Sequence, residues 1–251
     1  MEKPMLKLMD LLTEGVHDSG IFKAVFLAGG PGSGKSYIAK QIFGIPEKFN
    51  ISMSGMKMIN QDKEYKFLLK KHGFDPEWLD TYPDDVFQHI TDEMRDFTRD
   101  LAVERKKGYM KGKLGMIIDG TGHKFQKIKA HKKELEDNGY DTYMAFVNTS
   151  LEVALERNIA RGEKGDRVLP DNIVKKSWQD TRKNLGGYKA LFSGKFALID
   201  NSQFLDADTA RHKFTNLVKD HIQQWSTEPI KNSIGQKWVQ DQFKLKKAGI
   251  K

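Results

Sequence analysis

The chain contains no cysteine in 251 residues. This excludes a disulfide scaffold and any thiolate metal site, and it fits a reducing compartment such as the cytoplasm. No apolar run reaches the ~18 to 20 residues that cross a bilayer. Lys7 and Asp10 interrupt the opening MEKPMLKLMDLL, so it reads as neither a signal-peptide core nor an anchor, and no membrane partner is expected. Internal repeats and low-complexity tracts are also missing. Acidic residues are the minority charge: 34 Asp and Glu stand against 42 Lys and Arg, a net charge of +8, with a pI near 9.3. Such a balance suits a polyanionic partner. What is present, 38% hydrophobic and 30% charged residues with a mean hydropathy of −0.61, describes an ordinary globular chain, long enough for one large α/β domain or two small ones.

Compact apolar runs at 22–28, 114–118, 142–147 and 196–199, with a weaker one at 56–59, read as buried strands. Helical spacing fills the intervals at 35–42, 62–71, 84–107, 125–138, 150–161, 171–185 and 206–225. The alternation predicts an α/β fold: a parallel sheet of about five strands with helices on both faces. Met5, Leu8, Met9, Leu12 and Val16 predict a further short amphipathic helix within an N-terminal extension, 1–20. The stretch 63–113 exceeds an ordinary crossover and is expected to form a helical, acceptor-side insert on the sheet's rim. One domain is thus expected over 1–226, followed by a basic appendage, 227–251, whose six Lys face only Glu228 and Asp241. That appendage is either a packed helix, given Trp238, Phe243 and Leu245, or a loosely held arm.

Gly29-Gly30-Pro31-Gly32-Ser33-Gly34-Lys35-Ser36 fits the phosphate-loop pattern, with a strand entering and a helix leaving. In such a loop the backbone N–H groups curl around phosphate oxygens and the helix dipole adds to them. Lys35 reaches the β and γ phosphates, Ser36 holds Mg²⁺, and the nucleotide contacts run on to Tyr37. The expected cofactors are ATP and Mg²⁺. No Asn is followed by Lys, so the guanine-reading Asn-Lys-x-Asp of GTPases is missing, and the chain lacks the further motifs of motor ATPases. A small phosphotransferase is left.

Three further elements bear on the chemistry. Met58-Ile-Asn-Gln-Asp62 delivers a carboxylate to the carboxyl edge of the sheet, making Asp62 a candidate base for the acceptor hydroxyl or, alternatively, a helix cap. Met116-Ile-Ile-Asp119-Gly-Thr121 resembles a Walker B strand whose Asp119 holds Mg²⁺; the alternative is strand-end capping, and Thr121 serves either the acceptor or the turn. Arg157, Arg161 and Arg167 flank a Gly-containing segment that reads as a lid over 161–170, carrying guanidinium groups onto the transferring phosphoryl. The alternative for each is a solvated helix end. His123 and His131 lack a third ligand at metal spacing. The Lys-rich runs at 105–113 and 124–133 read as solvated faces that on this rim could hold phosphates. Trp78, Tyr82 and Phe87 suit core packing or an acceptor groove, and Asp200-Asn-Ser202 is a candidate nucleotide-side loop.

With these residues in hand the sequence resembles the phage polynucleotide 5′-kinases and the related zeta-toxin kinases, over about 22–202 apart from most of the insert. The resemblance rests on the phosphate loop, Ile-Asn-Gln-Asp62, Ile-Ile-Asp-Gly-Thr121 and Glu-Arg-Asn-Ile-Ala-Arg-Gly through Val-Leu-Pro170. It implies a P-loop kinase in which Asp62 is the base, Lys35 and Ser36 contact nucleotide and Mg²⁺, and Arg161 is a lid arginine. Two departures divide the acceptor side. The position three after the base, Arg in polynucleotide kinases, is Tyr65, and Asp-Gly-Thr at 119–121 is more similar to the Glu-Gly-Thr of zeta toxins than to the Ser-Asp-Thr of polynucleotide kinases. A related phage class phosphorylates hydroxymethyluracil in DNA. The expected acceptor is therefore a hydroxyl of a nucleic acid or nucleotide, with a UDP-amino sugar as the alternative. The resemblance also leaves room for an antitoxin partner and, for a phage-encoded chain, a host cytoplasm. From another class comes a non-catalytic ATP-binding protein that grips nucleic acid through its basic surface.

Overall fold

The computed structural model describes residues 20–44, 52, 55–74, 84–163, 168–203, 209, 221 and 224–248. Five strands, β1 (Lys23–Ala28), β2 (Lys57–Ile59), β3 (Met116–Asp119), β4 (Asp141–Asn148) and β5 (Phe196–Asp200), form one parallel sheet in the order β2-β3-β1-β4-β5. The expected α/β architecture, helices on both faces included, is present.

Alternation along the strands explains why both faces are covered. Val25 and Leu27 of β1 point to one side with Ile117 of β3 and Tyr143, Ala145 and Val147 of β4, and they pack on Ile38, Ala39 and Phe43 of helix α1 (Lys35–Phe43). Ala24, Phe26 and Ala28 point the other way with Met116, Met144 and Phe146. That second core takes in Ala102 of α3 (Asp84–Lys111), Leu135 of α4 (Phe125–Asp137), and Tyr188 and Phe192 at helix α7 (Leu185–Leu191) and its end. All six residues of β1 are buried, as a central parallel strand requires. Each fully buried large side chain contributes about 1.5–3 kcal/mol, so Ile38, fully buried, anchors the helix that begins with Lys35 and Ser36.

The insert is the helix α2 (Gln61–Lys71) packed against α3, joined through Tyr65, Leu69, Phe74 and Met94. After β4 come α5 (Leu151–Gly162), capped by Ser150, and α6 (Asp171–Lys183). The spacing predicts one helix over 171–185, but the structure breaks it at Asn184 and continues as α7. The Asn184 side chain donates to the carbonyls of Gly122 and His123, at 3.1 and 2.9 Å, which fixes the break against the loop after β3.

The C-terminal segment takes the packed form. Following the short α8 (Gln224–Thr227), helix α9 (Ser233–Lys247) lies against the amino edge of the sheet. A Cβ on Gly235 would stand 2.5 Å from the Gly139 carbonyl, so only glycine allows this approach. Trp238 meets the Phe22 ring edge-on at 5.5 Å. Beneath it the buried Asp141 accepts from Lys195 Nζ at 3.0 Å and from the Lys231 N–H at 2.7 Å, and it pairs with the buried Lys23 at 3.4 Å. The predicted helix at 5–16, Trp78, Tyr82, the Phe87 side chain and most of the predicted helix at 206–225 lie outside the described residues. Among those described, no helix is long and apolar enough to cross a membrane.

Candidate active site

Because the sheet is parallel, Gly29, Asn60, Gly120, Thr149 and Asn201 all follow strands at one edge, and the chain reverses its direction of travel around β1, between β3 and β4. Ligands of open α/β sheets bind at such a switch point. The phosphate loop sits there. Gly32 has φ +70°, and a Cβ on it would fall 2.2 Å from the Ala154 carbonyl, so α5 packs directly on the loop only because this residue is glycine. Lys35 Nζ donates to the carbonyls of Gly29 and Gly30, at 2.6 and 3.3 Å. The Ser33 hydroxyl is buried inside the loop with no hydrogen-bond partner. A buried donor left in this way is costly unless an acceptor arrives, and a phosphate oxygen in the loop is such an acceptor.

Burial pushes the Lys35 ammonium below its ordinary value. Asp119 and Asp62 pull it back up and Arg161 lowers it further. Four groups from α1, α2, β3 and α5 thus share one electrostatic neighbourhood. Asn60 connects two of them: its Nδ2 donates to Asp119 Oδ2 at 2.7 Å and its Oδ1 accepts the Asp62 N–H at 2.9 Å. The capping use considered for Asp62 therefore belongs to Asn60, and the Asp62 carboxylate is exposed at the start of α2. Thr121 and His123 are hydrogen-bonded to each other. The turn that carries them is held by Thr181 Oγ1 donating to the Thr121 carbonyl and by Tyr188 Oη donating to that of Gly122, at 3.0 and 2.8 Å.

The two arginines of α5 lie differently. Arg157 is turned under the loop: Nη1 donates to the Asn201 carbonyl at 2.9 Å and reaches that of Gly32 at 3.5 Å, while Nη2 donates to the Gln203 carbonyl at 3.1 Å. Asn201 Nδ2 in turn donates to the Ser33 carbonyl at 2.8 Å. Arg161, exposed in the last turn, is the one within the field of Lys35. Arg167 lies outside the described residues, with the middle of the expected lid. The buried Asn158 fixes the far side of that segment, donating to the Leu169 carbonyl at 2.7 Å and accepting its N–H at 3.0 Å.

Lys35, Asp62, Asp119 and Thr121 line a common cleft of about 620 Å³. Phe26, Ile59, Ile118 and Ile128 give it apolar surface, and its opposite wall is formed by α3 and the start of α4. Tyr65 does not line it. Its ring is buried between α2 and α3 with Arg95 over it at 5.6 Å.

A family profile described as zeta toxin matches residues 12–203, more than half of the chain. The chain belongs to the zeta toxin family. Solved structures agree on the fold of this zeta toxin family member, which is that of a P-loop kinase. One, from the PezAT chromosomal toxin–antitoxin system of Streptococcus pneumoniae, is 15% identical, covering 89% of this chain and 94% of that chain, with a TM-score of 0.51. Another, the AvrRxo1-ORF1:-ORF2 complex with ATP, is 17% identical, covering 78% and 62%, with a TM-score of 0.57. The Pnkp1/Rnl/Hen1 RNA repair complex matches at 15% identity over 66% and 46%, with a TM-score of 0.47. No curated protein matches.

In this zeta toxin family kinase, sequence reasoning passed over Asn60 as a bridge and Asn158 as a clamp, and held Asn201 only as part of a nucleotide-side loop. The Asn-x-Asp spacing was a usable signal for Asn60, since an Asx cap bonds the amide two residues on. Asn158 and Asn201 act on backbone groups distant in sequence, which leaves no local pattern.

Proposed function

We propose that the protein transfers the γ-phosphoryl group of ATP to a hydroxyl of a nucleic-acid or nucleotide acceptor, a 5′-hydroxyl end or a hydroxymethylated base in DNA. The reading is carried by one observation: the phosphate-loop lysine Lys35 and the carboxylates Asp62 and Asp119 line the same cleft. In the proposed reaction the loop amides, the Ser33 hydroxyl and Lys35 bind the donor phosphates. Asp62 orients the acceptor hydroxyl and receives its proton late, as the new P–O bond forms and the bond to ADP breaks. Arg161 and Lys35 oppose the charge on the equatorial oxygens. Ser36 at the start of α1 and Asp119 at the end of β3 offer hard oxygen ligands, few enough to suit Mg²⁺, which keeps water and phosphate oxygens in its shell. When bound, Mg²⁺ supplies charge neutralisation on the phosphates. Arg157 orients the phosphate loop rather than reaching the phosphoryl group.

A second reading, a UDP-amino sugar acceptor, is favoured by the match to the zeta toxin family. An antitoxin-like partner would follow from that reading. Labelled ATP offered with 5′-hydroxyl oligonucleotide, hydroxymethyluracil DNA and UDP-N-acetylglucosamine separates the acceptors. Transfer to one of them that Asp62→Asn lowers by about 10²-fold or more supports the reading; undiminished transfer removes Asp62 as base. Nucleic-acid binding that survives Lys35→Ala with no transfer to any acceptor would favour a non-catalytic ATP-binding role.

A further inference from the structure

Backbone N–H groups can curl inward around an anion only if the intervening carbonyls turn outward, and buried carbonyls need donors of their own. The phosphate loop meets this condition from beneath. The Ser33 carbonyl accepts from Asn201 Nδ2 at 2.8 Å, and the Asn201 carbonyl accepts from Thr149 Oγ1 at 3.2 Å as well as from Arg157. The Thr149 carbonyl in turn accepts from the indole Nε1–H of Trp178, at 2.9 Å. Thr149 and Asn201 are buried, so water competes little for these bonds. A relay of three side chains, Trp178, Thr149 and Asn201, therefore runs from α6 through the segments after β4 and β5 to Ser33, whose own hydroxyl is unpartnered inside the loop.

Trp178 meets the loop a second time. Gly30 lies so close to α6 that a Cβ on it would stand 3.5 Å from the Trp178 Cα, in van der Waals contact. One residue of α6 thus touches the loop directly at Gly30 and by relay at Ser33. Its own place is fixed from both ends of the helix. Asn158 of α5 holds Leu169, next to Pro170 at the N-cap of α6, and one turn beyond Trp178 the Thr181 hydroxyl donates to the Thr121 carbonyl at 3.0 Å. Arg182 covers the indole, 5.0 Å from the ring centroid. The backbone contact with Gly30 asks nothing of the side chain. What tryptophan adds is an N–H aimed at a backbone carbonyl.

We propose that Trp178 is a positioning residue of the donor site. It does not line the cleft; through Thr149 and Asn201 it sets the outward turn of the Ser33 carbonyl, and with it the groups that the loop turns inward to phosphate. The inference rests on the ATP-binding half of the phosphotransfer reading and is independent of the acceptor. It makes donor affinity depend on a residue outside the phosphate-loop motif and far from it in the chain.

The test uses the full chain and adenylyl imidodiphosphate, a non-hydrolysable ATP analogue, with Mg²⁺, titrated by calorimetry. Trp178→Phe keeps an aromatic ring and loses the N–H, and Thr149→Val keeps the shape and loses the hydroxyl. Each should weaken binding by about tenfold, the usual cost of one bond in a buried polar chain. Because both act on one relay, the double variant should bind at least about threefold tighter than the product of the two losses implies. Trp238→Ala, which removes the ring that meets Phe22 at the amino edge of the sheet, should lower the melting temperature and leave the affinity unchanged. Analogue binding should also alter the indole emission of wild type, by a change that Trp178→Phe loses and Trp238→Ala keeps. Undiminished affinity or an undiminished emission change in Trp178→Phe, strictly multiplicative losses in the double variant, or an equal loss in Trp238→Ala overturns the role of Trp178 and leaves the phosphotransfer reading standing. Coupled losses of affinity with no label transfer to any acceptor keep the role of Trp178 and remove phosphotransfer. An analogue that does not bind wild type removes both.

Discussion

Asn60 bridges Asp119 and Asp62, donating from Nδ2 to the Asp119 carboxylate at 2.7 Å and accepting the Asp62 N–H at 2.9 Å. The two residues are neighbours across β2 and β3, where Ile59 pairs with Ile118 in register. One amide thereby sets the positions of the two carboxylates assigned to base and metal. Asn60→Ala removes both bonds without burying a charge, and the expected result is a drop in kcat of about 10- to 100-fold, the usual cost of losing a group that orients a catalytic ligand. Asn60→Asp places a second carboxylate against Asp119. Like charges raise one of the two pKa values, so the acid limb of its pH–rate profile should move to higher pH. Steady-state kinetics across pH 5–8 checks both, and unchanged kcat in Asn60→Ala would remove the bridge from the mechanism.

Arg157 and Arg161 are four residues apart on α5 yet should fail in different ways. Arg157 is half-buried and donates to the carbonyls of Asn201 and Gln203, with that of Gly32 at 3.5 Å, which ties the segment after β5 to the phosphate loop. Arg157→Ala should cost about 2 kcal/mol of stability, a fall in melting temperature of about 4–8 °C for a chain of this size, and should weaken ATP binding with it. Arg161→Ala should leave the melting temperature within about 1 °C, as surface substitutions generally do, and lower kcat. Calorimetric melting paired with kinetics separates the two. A thermally neutral Arg157→Ala would return Arg157 to the transferring phosphate.

The same pair shows how far the sequence could be read. Sheet order and the break at Asn184 aside, the described strands and helices followed from apolar runs and spacing, because a parallel sheet buried on both faces leaves continuous hydrophobic segments. The phosphate loop, Asp62 and Asp119 followed from residue types placed at strand ends. Helical spacing put Arg157 and Arg161 on one face, but it said nothing of the Asn201 and Gln203 carbonyls that capture one of them and not the other. Tyr65 was visible as a departure, while its burial against Met94 depends on how α2 meets α3. The Lys-rich run at 124–133 was legible, yet only the fold separates Lys127, which lines the cleft, from Lys133, which is exposed and paired with Asp137.

Asp141 supplies a test at the opposite edge. Burial alone would raise its carboxyl, but the Lys231 N–H, Lys195 and Lys23 outweigh that and hold it below the ordinary aspartate value. A group with a depressed folded-state pKa contributes stability above its unfolded value, near 3.8, and loses it as pH falls through the folded value. Wild type should therefore exceed Asp141→Asn in melting temperature by a constant margin above about pH 5, and the margin should shrink below about pH 4. Because Lys231 leads into α9, the variant should also expose the C-terminal segment to proteolysis. A margin independent of pH down to pH 2 would show that Asp141 acts through packing alone.

His131 makes the opposite case, a base kept neutral. Burial lowers its pKa from 6.5 to about 4, with Lys106 and Lys127 adding to the effect and Glu134 opposing it. The unfolded chain therefore binds a proton between about pH 6.5 and pH 4 that the folded chain does not, so His131 makes stability rise with pH across this window. His131→Gln cannot titrate, and the difference in melting temperature between it and wild type should change over that window and be flat above pH 7. The imidazole resonances should titrate near pH 4 in the protein alone. A midpoint near 6.5 would mean that His131 is solvated in the folded chain and that burial and the neighbouring Lys106 and Lys127 do not act on it.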